Sequence, residues 1–219
     1  MPLLNSDPEP ALGPRETAPR TWTVVIPVKP AAKGKTRLAL PPSDRRAIAR
    51  AIALDTVAAA AGSVAVARVL VVTSDGPLTA LLASQDRVTV LRDGTDGLSA
   101  AIEYGLSATD PGRPRAVLLG DLPALQPTEL SAALALSMRH DLAFVPDADG
   151  TGTVLVTARP GVPLHPRFGA DSAAAHRRAG FVELDLPAVS GLRRDLDTAA
   201  HLRTLRQLGL GSHTAALTG

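Results

Sequence analysis

The chain has 219 residues, 45% of them hydrophobic and only 2% aromatic, with 20% charged, a net charge of +2 and no cysteine. That length fits one mid-sized domain, and the apolar share is too high for a disordered chain. Without cysteine there is no disulfide scaffold, thiolate metal site or cysteine nucleophile; the scattered arginines argue against nucleic acid, and no apolar run approaches a bilayer-spanning length, so a cytoplasmic protein is expected.

Residues Met1 to Arg20 carry five prolines among polar residues and read as a disordered N-terminal tail. A single domain is expected over 21–210, with a frayed C-terminus over 211–219. Thr21 to Val28 is an apolar, β-branched first strand, followed by a loop from Lys29 to Pro42. Ser43 opens a helix through Ile48, Ile52 and Val57. Val64 to Thr73 is the second strand, and Ser74-Asp75-Gly76-Pro77 is a turn before a short helix, Leu78 to Ser84. A third strand at Val88 to Leu91 and a helix at Leu98 to Ser107 follow. Ala116 to Gly120 is a buried strand ending at Asp121. Thr128 to Met138 is helical, and Leu142 to Pro146 and Thr153 to Thr157 form a hairpin. Beyond a proline-rich stretch, Asp171 to Ala179 reads as helix, Phe181 to Leu186 as strand and Thr198 to Leu208 as a last helix.

Strands alternating with helices over the first 125 residues predict a parallel, doubly wound α/β sheet. Ligands of such sheets bind outside the carboxyl ends of the strands. The loops at 29–37, 74–76, 93–97 and 121–125 therefore draw attention. The chain has three lysines against twenty arginines, and all three lysines, Lys29, Lys33 and Lys35, lie within seven residues. Lysine is a compact point charge suited to phosphate. With Arg37, this loop is cationic and stands between a strand and a helix, a favoured phosphate position. Gly34-Lys35-Thr36 is not a P-loop, because Lys29 occupies the place of its first glycine.

Asp121 leaves a buried strand directly, where it either holds Mg²⁺ or starts the turn before Pro123. Asp195 and Asp197 share a face if extended; Asp197 or Thr198 is equally a good N-cap for the last helix. The Asp147 to Gly152 segment is a hairpin turn that starts like a calcium loop but has Ala158 at its closing position. Gly169 and Ser172 before a helix suit a second anion site. The five histidines form no metal-binding pair and are read as surface or structural residues.

In this order, IPVKPAAKGKTRL, DGLSAAI, LLGDLPAL, DADGTGTVLV, FGADS and RRDLDT make the chain resemble the CofC/FbiD family, guanylyltransferases of coenzyme F-420 biosynthesis. The resemblance covers residues 22–208. It implies a GT-A-like nucleotidyltransferase fold, a three-layer sandwich with a mostly parallel mixed sheet flanked by helices. It also implies GTP as donor, Mg²⁺ as cofactor, and phosphoenolpyruvate or 2-phospho-L-lactate as acceptor. By the same resemblance Asp121, Asp195 and Asp197 are the metal ligands, and Thr153, Gly169 and Ser172 bind the acceptor. Lys29, Lys33, Lys35 and Arg37 contact the triphosphate, while Gly97 and Ser99 lie near guanine and ribose. Competing expectations are transfer to a molybdopterin or sugar phosphate, and a GTP-binding domain without turnover. Oligomeric state stays open.

Overall fold

A computed structural model describes residues 21–31, 41–196 and 198–218. Strand β1 (Trp22–Pro27) is buried along its whole length, as its β-branched, uncharged run requires of a strand covered on both faces. It pairs in parallel with β2 (Val66–Thr73) on one side and with β4 (Arg115–Leu118) on the other. Strand β3 (Val88–Arg92) adds in parallel to β2. Parallel neighbours need crossover connections, and helices α1 (Pro42–Gly62), α2 (Gly76–Leu82) and α3 (Leu98–Ser107) supply them.

Beyond β4 one strand runs against the others. Helix α4 (Pro127–Ser137) leads to β5 (Leu142–Pro146), which turns into β6 (Thr153–Ala158) as an antiparallel hairpin. Strand β6 inserts antiparallel between β4 and β5, and β7 (Val182–Glu183) closes the edge parallel to β5, giving the order β3-β2-β1-β4-β6-β5-β7. The expected mixed, mostly parallel sheet is therefore present, with β6 as its one reversed strand.

The period of two along the strands sends alternate residues into two apolar layers. Val24, Ile26, Val69, Val71, Ala116 and Leu118 join the layer containing α1 and α4 residues. Val25, Leu70, Val72, Val117, Phe144 and Val156 join the layer containing α3 residues and Ala173 of helix α5 (Ser172–Arg178). Gly105 lets α3 lie low on the sheet, since a Cβ there would collide with Val25 and Val72. A smaller cluster joins Ile48 and Ile52 of α1 to Ala124, Leu196 and Leu205 of helix α6 (Ala199–Leu208).

Two expectations fail at the C-terminal end. The strand predicted over Phe181 to Leu186 shrinks to β7, because the Phe181 amide still bonds the His176 carbonyl as part of the α5 terminus. The frayed end is instead helix α7 (Ser212–Thr218). Its first amides, His213 and Thr214, donate to the buried Asp55 carboxylate of α1 at 3.0 and 2.7 Å. The cap comes from a distant helix, and the local sequence carries no trace of it. Among the described residues, no helix is long and apolar enough to cross a membrane.

Candidate active site

The carboxyl ends of β1, β2, β3, β4 and β5 and the start of the reversed β6 all meet one edge of the sheet. Two adjoining clefts there involve the residues singled out in the sequence. The first, about 310 Å³, is bounded by Val28 and Lys29 after β1, Ser74 after β2, and Asp93, Gly97 and Leu98 between β3 and α3. The second, about 210 Å³, is bounded by Asp147, Thr153, Gly169, Ser172 and Asp195, and it shares Leu98 with the first. The two are adjoining compartments of one groove.

In the first cleft Lys29 is exposed. Its loop is tied down by Asp75, whose buried carboxylate accepts the Ala31 amide at 3.0 Å and the Leu78 amide at 2.9 Å. The same carboxylate is bonded by Arg50 of α1, Nε at 2.9 Å and Nη2 at 3.3 Å. Burial alone would raise the pKa of Asp75, but the Arg50 bonds and the two amides outweigh it and hold the group below its ordinary 3.8. Asp75 therefore stays ionised and fixes the base of the lysine-bearing loop to β2, α1 and α2. The sequence presents it as a turn residue; Asp before Gly-Pro is also an N-cap signature, which it fulfils for α2. Its long-range partners leave no local signal.

Gly97 adopts φ +94°, open to glycine at low cost, and no side chain caps α3 behind it. Among the described residues no side chain meets the first amides of this ten-residue helix, an arrangement that suits an anion. Ser99 is exposed and does not border either cleft.

Asp121 lies where β4 passes β1. The Leu119 amide still pairs with Val154 at 2.9 Å, and Gly120 lets the two strand exits close up, since a Cβ there would stand 2.9 Å from Val28 Cγ2. Buried Thr56 of α1 accepts the Leu122 amide at 3.0 Å, fixing the turn that follows. The Asp121 carbonyl receives the Leu196 amide at 3.4 Å, so the chain at Asp195-Leu196 runs directly beside Asp121.

That second stretch is strapped down at several points. Glu129 accepts Ser190 Oγ at 2.9 Å and the Gly191 amide at 3.0 Å. Gly191 meets the Ala124 carbonyl so closely that no other residue fits. Arg193 donates to the carbonyls of Pro146 (3.2 Å), Leu186 (3.4 Å) and Asp147 (2.9 Å), while the Ala148 amide donates to Arg193 at 2.8 Å. Sequence reasoning singled out the acidic residues of RRDLDT and passed over Arg193 and Glu129, which position the acidic segment.

In the second cleft Thr153 and Ser172 are buried to within 3% and 2% exposure, and Gly169 sits at φ +138°. The three residues expected to act together are brought together. Their setting differs from expectation in one respect. Helix α5 has only seven residues and its Ala173 amide is taken by the Thr151 carbonyl at 3.0 Å, so hydroxyls and loop backbone, rather than a helix terminus, face a ligand here. The Asp147 carboxylate is occupied by the amides of Thr151 (3.0 Å) and Gly152 (2.8 Å), as a hairpin turn requires.

Lys33, Lys35, Arg37 and Asp197 lie outside the described residues. Of the remaining acidic pair, Asp195 lines the second cleft and Asp121 is its backbone neighbour, so both are candidate hard oxygen donors. This set fits Mg²⁺, which takes one or two protein carboxylates and fills its shell with water and substrate oxygens.

A family model described as "Guanylyl transferase CofC like" matches residues 22–177. A phosphoenolpyruvate guanylyltransferase of Streptomyces coelicolor is 46% identical over 90% of this chain and 95% of its own. Another so named, from Thermomonospora curvata, is also 46% identical, over 90% of this chain and 88% of its own. Among solved structures, a nucleotidyl transferase from Methanothermobacter superposes with a TM-score of 0.57 at 19% identity, covering 86% of this chain and 97% of that one. A 4-diphosphocytidyl-2C-methyl-D-erythritol synthase gives 0.58 at 13% identity, covering 87% and 99%. At these identities the structural likeness speaks for the fold.

Proposed function

This chain belongs to the CofC-like guanylyl transferase family, and on that footing we propose that it transfers GMP from GTP to phosphoenolpyruvate, with Mg²⁺ as cofactor and release of pyrophosphate. The observation that carries the reading is a pair of clefts that share Leu98 at one sheet edge, with Asp195 lining the second and the Asp121 backbone beside it. One compartment has a lysine and an uncapped helix start, as a nucleoside triphosphate needs. The other has two buried hydroxyls and a glycine turn, as a small phosphorylated acid needs. The curated relatives named for phosphoenolpyruvate support that acceptor. Coenzyme F-420 biosynthesis and a cytoplasmic setting, where nucleoside triphosphates are held, complete the proposal.

A phosphate oxygen of the acceptor attacks the α-phosphorus of GTP in line. The new P–O bond forms as the α–β bridging bond breaks, and the electron pair leaves on pyrophosphate. The nucleophile is already ionised at neutral pH, so no general base is needed. Lys29 neutralises the departing phosphates, and Lys33, Lys35 and Arg37 are assigned the same role from sequence alone. Asp121 and Asp195 would hold the metal ion, with Asp197 as a third partner on the same basis. When bound, Mg²⁺ offsets the repulsion between two anionic reactants and stabilises charge on the attacking and leaving oxygens. Thr153, Ser172 and the Gly169 backbone orient the acceptor; the remaining work is positioning. Gly97, with Ser99 beyond it, borders the nucleoside.

Pyrophosphate release from GTP and Mg²⁺, measured with phosphoenolpyruvate and separately with 2-phospho-L-lactate, tests this. Phosphoenolpyruvate should support the faster turnover. Calorimetric GTP binding with no pyrophosphate from either acid would leave a nucleotide-binding domain without this activity.

A further inference from the structure

His176 has no assigned role, yet it is the most tightly enclosed titratable group described, at 0% exposure. Its ring stacks on Phe144 at 5.6 Å and meets Phe168 and Phe181 edge-on at 5.6 and 4.9 Å. Both ring nitrogens are engaged inside this aromatic box, and the Ser172 carbonyl also bonds the ring. The Arg167 amide donates to Nε2 at 2.9 Å, and Nδ1 lies 3.0 Å from Thr153 Oγ.

These two contacts fix a direction. A neutral imidazole has one N–H, and a ring nitrogen that accepts cannot carry it. Because Nε2 accepts from a backbone amide, the proton sits on Nδ1. Thr153 Oγ then accepts from the ring and keeps its own proton for another partner. The reverse tautomer would draw that proton to Nδ1 and turn hydroxyl lone pairs outward, repelling an anion. We propose that His176 is a positioning residue, which sets the Thr153 hydroxyl as a hydrogen-bond donor to the anionic acceptor and pins the 167–169 loop carrying Gly169. Burial holds the ring neutral, with its pKa lowered to about 4; the Ser172 carbonyl opposes that shift and the Arg167 charge adds to it. The Nδ1–H tautomer is therefore the form present at neutral pH.

The inference rests on the reading that the cleft at Thr153 takes the acceptor, and the experiment separates the two. Steady-state guanylyl transfer is measured for Thr153→Val, His176→Phe, His176→Asn and the double variant Thr153→Val/His176→Phe. Phenylalanine fills the aromatic box without a donor; asparagine returns an N–H to the Nδ1 position. His176→Phe should raise KM for phosphoenolpyruvate about tenfold, the scale of a hydrogen bond to a charged group, with KM for GTP unchanged. His176→Asn should recover most of that loss. In the Thr153→Val background, His176→Phe should add less than about twofold. An equal further loss in that background, or a parallel rise in KM for GTP, would mean that packing rather than the hydroxyl is what His176 supplies. If Thr153→Val leaves the acceptor KM untouched, the acceptor cleft itself is misassigned. Long-range ¹⁵N–¹H correlation spectra of the wild-type protein test the tautomer without any substitution, and a proton on Nε2 overturns the inference.

Discussion

Asp75 ties the lysine-bearing loop to the rest of the protein through one carboxylate. Asp75→Asn leaves Arg50 and two amides facing a weaker acceptor and should cost about 1–3 kcal/mol of stability, read by urea denaturation. Arg50 is partly exposed, at 27%, so the ion-pair share of that figure is screened. The lowered pKa gives the pH dependence its sign. The stabilisation by Asp75 is complete above its unfolded value of 3.8 and fades as pH falls through the lower folded value. Acidification should therefore narrow the gap between wild type and Asp75→Asn; a gap that widens below pH 4 would contradict the assignment. Lys29 behaves differently. It is exposed and borders the larger of the two clefts. Lys29→Ala should raise KM for GTP about tenfold, roughly 1.4 kcal/mol, while leaving the melting temperature and the acceptor KM close to wild type. Candidate residues of this kind are visible in the sequence where chemistry is local. The lysine cluster and Asp121 stand out from composition and strand position, whereas Asp75, Glu129 and His176 depend in part on Ala31, Ser190 and Thr153, which lie 44, 61 and 23 residues away.

At the scale of elements, the segment from Ser190 to Leu196 has almost no regular structure beyond a turn at Gly191–Arg193, yet it delivers Asp195. Its placement depends on side chains bonding backbone carbonyls rather than on a ladder. Arg193→Ala removes bonds to the carbonyls of Pro146, Leu186 and Asp147 together. Turnover should fall about 10- to 100-fold with little change in KM for GTP, because a small displacement of a positioned group is costly. Unchanged turnover would mean that Asp195 is held without this strap. The periodic elements were readable from sequence: α3 and β5 have the predicted bounds, since strong apolar patterns set them. Elements fixed by tertiary contact were not. Helix α7 borrows its cap from Asp55, and β7 is cut short where Phe181 remains bound to the end of α5.

Across the whole molecule, the single reversal at β6 creates the second compartment. It turns the start of a strand, Thr153, toward the same edge as the ends of the parallel strands. A wholly parallel continuation would bring a strand end there instead. The alternation of strands and helices foretold the parallel half, and the hairpin foretold β5 and β6, but insertion of β6 between β4 and β5 is a long-range pairing that no local pattern encodes. The junction between the compartments is the centre of the account. Pyrophosphate release from GTP and phosphoenolpyruvate with Mg²⁺, compared among wild type, Asp121→Asn and Asp195→Asn, tests it most directly. Each variant should keep the wild-type melting profile to within a few degrees and lose about 10² or more in turnover, near 2.7 kcal/mol of transition-state stabilisation. Near-normal turnover in either folded variant would contradict it.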